Sequence, residues 1–142
     1  MLPDDSDEGV SAGPAEPPGQ WPRAVHEPLD ELQSILALVK RDIDPVVNDF
    51  PMALPSKNAA IMLARLLREL HDVTEKYERR ENEGRQKILQ DFRKSTMGAA
   101  IAATLLTKDE LSIDRMNEIF EHLQKFHRKL DAIMRTYRSA SN

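Results

Sequence analysis

Four histidines, His26, His71, His122 and His127, are the residues of this 142-residue chain that first suggest metal binding or proton transfer. No two of them share the i,i+4 spacing that turns two imidazoles toward one ion on a helix face. Glu118 and His122 do share it, but zinc takes at least three protein ligands, and the charged surroundings read as a solvated ion pair. The five glycines stand apart at positions 9, 13, 19, 84 and 98 and build no phosphate-cradling loop. The chain has no cysteine, which removes disulfides, thiolate nucleophiles and cysteine-ligated zinc. Serine, threonine and carboxylates are plentiful, yet nothing in their spacing orders a nucleophile, a base and an orienting group. The expectation is a non-enzymatic protein with no cofactor, no metal and no small-molecule substrate.

Nucleic acid is the chemistry that the charge pattern does allow. Residues 79 to 94 carry Arg79, Arg80, Arg85, Lys87, Arg93 and Lys94 against three acids, with Phe92 the only aromatic residue among them. The interspersed acids fit an ion-paired helix face as well. The overlapping segment "AIMLARLLRELHDVTEKYERRENEG", residues 60 to 84, resembles the helical hairpin segments of phage small terminase subunits. That resemblance covers under a fifth of the chain and implies a ring-forming, DNA-associated subunit.

The elements that would position these groups are helices. In "LDELQSILALVKRDID", residues 29 to 44, Leu32, Ile35, Leu36, Val39 and Ile43 recur at helical spacing, with acids early and bases late. Pro45 is expected to end this helix. The segment "PVVNDFPMALP" then reads as a loop packed on the core through Val46, Val47, Phe50, Met52 and Leu54. Ser56 is a candidate N-cap, followed by Leu63, Leu66, Leu67, Leu70, Val73 and Tyr77 on one face. Acid-before-base pairs at i,i+4 run from Asp72 to Lys87, straight across Gly84. One glycine costs a helix only ~1 kcal/mol, so a single long helix over residues 57 to 106 is expected, about 75 Å in length at ~1.5 Å per residue. A bend at Gly84 into a compact four-helix monomer is the alternative. Ser95, Ala99 and Ala103, and Gly98 with Ala102, form small-residue rows suited to close helix packing. The next helix starts either at the "TKDE" capping box, residues 107 to 110, or at Ser112.

The last helix carries the longest apolar stripe: Ile113, Met116, Ile119, Phe120, Leu123, Phe126, Leu130, Ile133, Met134 and Tyr137. With one long central helix, only two layers exist at any level, and one partner cannot cover so wide a stripe. Surplus apolar surface of that kind drives association. The fold expected is therefore all-α: an antiparallel hairpin or bundle of three to four helices with one long central helix. Its expected assembly surface comprises Met116, Phe120, Leu123, His127, Leu130, Met134 and Tyr137, with Phe120 and Met134 partly exposed in a monomer. His127, at the stripe's edge, reads as an interfacial imidazole. A homo-oligomer or a helix-binding protein partner follows, with a DNA-associated subunit as the alternative.

Ahead of the helices, residues 1 to 31 hold six prolines and eight acids against Arg23 alone. Residues 32 to 142 are consequently net basic although the whole chain is at −4. Residues 1 to 28 are expected to be a disordered acidic tail, 29 to 138 the helical domain, and 139 to 142 a second disordered end. Trp21 in this tail is a candidate docking anchor, because tryptophan is enriched among binding hot spots. No signal peptide is recognisable, and no apolar run approaches the ~20 residues of a membrane span, so a cytoplasmic location is the expectation.

Overall fold

A computed structural model describes residues 21 to 141, with side-chain surroundings given for residues 31 to 137. All the regular structure among them is helical: α1 (Trp21–Asp49), α2 (Lys57–Glu78), α3 (Glu83–Leu105) and α4 (Ile113–Ser141). The tail expected ahead of the helices lies, for residues 1 to 20, outside the described residues. The chain divides at Asp30 into two units, and the packing below concerns residues 31 onward.

The single long central helix is not formed. α2 ends at Glu78 and α3 begins at Glu83, so the chain reverses over Arg79–Asn82 and not at Gly84. Asn82 explains where the second helix starts. Its side chain accepts a hydrogen bond from the Arg85 backbone N–H at 3.0 Å, the N-cap geometry that satisfies an orphan donor. Gly84 lies inside the first turn of α3, and a Cβ there would come no closer than 3.7 Å to the Asn82 side chain. The reversal is pinned from α3 by Arg93, whose Nε donates to Glu78 Oε1 at 2.8 Å, and by Gln86, which donates to the Glu78 carbonyl at 3.2 Å. The i,i+4 charge ladder is therefore real as composition but not as one helix. The polar run left nothing to bury between Glu78 and Lys87, so a cap and a salt bridge decided the path.

The first helix also departs from its expected end. It runs through Pro45 to Asp49, because Val39, Ile43 and Val46 continue the buried face at helical spacing. Burying a Val or Ile side chain is worth about 1.5–3 kcal/mol, so this face offsets the ~3 kcal/mol penalty of an interior proline. At the next two starts, Ser56 accepts from Ala59 N at 3.1 Å and Ser112 from Arg115 N at 3.1 Å. The second bond settles the start of α4. Thr107 instead donates to the Thr104 carbonyl at the end of α3.

Neighbouring helices run antiparallel. α1 faces α4 through Gln33 with Tyr137, Lys40 with Asp131 and Asp44 with His127. α1 meets α2 through Glu31 and Lys76, α2 meets α3 through Arg68 and Thr104, and α3 meets α4 through Asp91 and Lys129. α2 and α3, at 22 and 23 residues, are each about 33–35 Å long, enough to lie along the core stripe of α4. That stripe is covered within the chain: Ile119, Phe120, Leu123, Phe126, Leu130, Ile133 and Tyr137 are all buried. Its two flanks have different partners. Phe120 stacks on Phe50 with ring centroids 3.9 Å apart, and Phe126 stacks on Phe92 at 5.5 Å. The small-residue rows serve the same core, with Ala99, Ala102 and Ala103 buried.

These contacts set two expectations for thermal melts. Gly84→Ala should stabilise the chain by about 0.4–1 kcal/mol, since the position is helical and unobstructed; a bend at Gly84 would make the same change destabilising. Arg93→Gln should cost about 1.5–3 kcal/mol, the worth of a hydrogen bond to a charged group, while Arg79→Gln should leave the melt unchanged.

Candidate functional site

The residues expected to form an assembly surface are mostly spent on the core. Phe120, Leu123, Leu130 and Tyr137 are each no more than 1% exposed, and Met116 and Met134 are half-buried. Phe120 is thus not a flank left open in a monomer. The two-layer argument failed because the reversal at residues 79 to 82 supplies α3 as a second neighbour of α4. Trp21 is the first residue of α1, and its side chain lies outside the described residues.

His127 sits at the α1–α4 seam. Its Nε2 lies 2.7 Å from Asp44 Oδ1, and because a carboxylate only accepts, Nε2 carries the proton. Lys40 bridges the same Asp44 at 3.0 Å and Asp131 at 3.4 Å, closing a four-residue polar chain across the two helices. Burial alone would push the Asp44 carboxyl up, but the hydrogen bonds from His127 and Lys40 outweigh it and hold the group below its usual 3.8. The hydrogen bond from Lys40 to Asp44 likewise raises the Lys40 ammonium above its usual 10.5.

The six basic residues of 79 to 94 do not converge. Arg93 is committed to Glu78, Arg79 approaches Glu75 at 4.0 Å, and the Arg85 guanidinium lies 5.9 Å from the centre of the Tyr137 ring. Arg80 and Lys87 are exposed, and Lys94 alone opens into a groove, between α3 and α4. His71, Asp72 and Glu75 place one donor atom each within 4.8 Å of one another on α2. His71 Nδ1 lies 3.2 Å from Asp72 Oδ1 and Glu75 pairs with Arg79, which accounts for them as polar pairs along one helix.

Apolar side chains stay exposed on α3, at Ile88, Met97 and Ile101, at Ile113 where α4 begins, and where α1 passes into α2. Sequence pattern placed all five apolar residues of the 45–55 segment on the core. The structure divides them: Val46 is buried and Phe50 covers Phe120, but Met52 is 92% and Leu54 51% exposed. Beside them is a hollow of about 350 Å³ lined by Pro45, Val46, Ala53, Leu54, Pro55 and Met62, with Arg41, Asp42 and Asp49 also on its wall. Met62 and Leu38 continue the apolar exposure along α2 and α1. No periodicity could have marked Met52 and Leu54 as outward, since they lie between Pro51 and Pro55 in non-helical chain; the proline pair was the available signal.

No family model matches this chain, and neither a curated protein nor a solved structure matches it. Among the described residues no helix is long and apolar enough to cross a membrane.

Two titrations follow from the geometry. A carboxyl whose folded value lies below its unfolded one contributes stability above the unfolded value and loses it as pH falls through the folded value. Asp44 should therefore support the fold at neutral pH and release that support below about pH 4, and Asp44→Asn should flatten this acid limb in a denaturant titration. Burial and the neighbouring Glu81 push the Tyr77 phenol up to about 12. Its contribution is complete below pH 10 and disappears between about 10 and 12, so tyrosine ionisation read at ultraviolet wavelengths should lag that of the unfolded chain.

Proposed function

We propose that this chain is a non-enzymatic helical assembly protein, with the four helices acting as an antiparallel bundle that self-associates through the α1–α2 face. The observation that carries this reading is Met52, almost fully exposed and next in the chain to Ala53 and Leu54 on the wall of a mainly apolar hollow of about 350 Å³. A protruding apolar side chain next to a hollow able to take one makes a surface complementary to itself. Such a surface generates a two-fold interface in which each copy supplies both parts. The rim supports the same occupant, because it carries both signs of charge in Arg41 and Asp49. A two-fold mate can set one copy's base against the other's acid.

This reading keeps self-association but moves it from the α4 stripe to the loop that precedes α2. Light scattering of the full chain should give a molar mass above that of the 16.2 kDa monomer. Met52→Gln combined with Leu54→Gln should return it to the monomer with the helical signal intact. Phe120→Gln should unfold the chain, as a polar group forced into a packed aromatic pair does. A wild type that stays monomeric at the highest attainable concentration removes the proposal.

A further inference from the structure

A groove runs between α3 and α4. Its volume is about 320 Å³, and Lys94, Ser95, Gly98, His122, Lys125 and Lys129 line it. One carboxylate reaches it: Asp91 accepts from Lys129 at 2.7 Å. Among the described residues, Lys94 and Lys125 have no carboxylate within ion-pair distance, so the groove presents uncompensated positive charge from both walls. The floor is open as well. A Cβ placed on Gly98 would meet nothing within 4 Å, and Ser95 brings a hydroxyl one turn away on α3.

We infer that this groove binds the phosphate backbone of nucleic acid. Lysine ammonium groups are point charges with three donors each, suited to phosphate oxygens without the planar match that arginine imposes. The charges also form a row and not a cage. Lys125 and Lys129 follow one another at about 6 Å along α4, and Lys94 stands on α3. A row of cations along a trough fits a chain of phosphates better than a single anion. No Phe, Tyr or Trp lines the groove, and its one ring is the His122 imidazole, so the lysine contacts position a backbone without reading sequence. Of the six basic residues in 79 to 94 the site uses only Lys94, and it shares no residue with the α1–α2 face. Its success or failure is therefore separate from that of self-association.

The test is anisotropy of a fluorescently labelled oligothymidylate with the full chain. Neutralising about three phosphates of a single strand gives a log–log salt slope near −2, or a roughly 20-fold loss between about 50 and about 200 mM salt. Lys94→Gln with Lys125→Gln should flatten that slope by about 0.7 per lysine, to near −0.7. Gly98→Glu should weaken binding several-fold, since the new side chain enters open space and replaces a glycine inside a helix. Arg79→Gln with Arg80→Gln should change nothing. Absence of binding at low salt, or full binding by the double lysine variant, overturns the assignment. Displacement of the oligonucleotide by polyglutamate at equal charge concentration overturns it too, by giving the groove to an acidic protein.

Discussion

The reversal at Arg79–Asn82 is the constraint on which the remaining packing depends. Were α2 and α3 one continuous rod, α4 would have a single neighbour along most of its length, and half its apolar stripe would face water. Asn82 caps α3 and Arg93 holds the returning helix to Glu78, with both side chains of that pair largely removed from solvent. An ion pair so placed is worth more than an exposed one, because the surroundings screen it less. Once α3 lies beside α2, it can also supply Phe92 to Phe126, and the second flank of α4 is covered.

The polar seams then specify register more than they add stability. Lys40 with Asp44 and Asp131, and Lys129 with Asp91, are partly exposed, and such pairs contribute little each. They do fix which turn of α4 meets which turn of α1 and α3. Among the described residues, hydrogen bonding is least complete at the end where Tyr77 and Tyr137 meet edge to face at 5.6 Å. Tyr137 Oη and Thr74 Oγ1 are buried without a hydrogen-bond partner. Each orphaned hydroxyl costs about 1–3 kcal/mol, which the buried ring of Tyr137 offsets through its area.

The two surfaces proposed for function differ in chemistry. The α1–α2 side offers apolar relief, a protruding methionine beside a hollow, and supports the proposed pairing of two copies. The α3–α4 side offers lysines in a row and supports the proposed contact with phosphates.

Helical class was legible in the sequence because the 3.6-residue period of apolar side chains depends on local geometry alone. The cores of α2 and α4, the cap at Ser56, and the packing role of Ala99 and Ala103 follow from that period and from capping chemistry, while the choice of Ser112 over the Thr107 capping box did not. What residues 113 to 137 press against did not follow. Their coverage depends on whether the polar run 78 to 87 continues or turns, and a run with no buried side chain carries no periodic signal either way. Tertiary structure decided it through Arg93 and Glu78, fifteen residues apart in sequence. The same holds for Pro45, which local preference makes a helix end and the burial of Val46 makes a helix interior, and for Met52, whose exposure depends on where the surrounding chain leaves room.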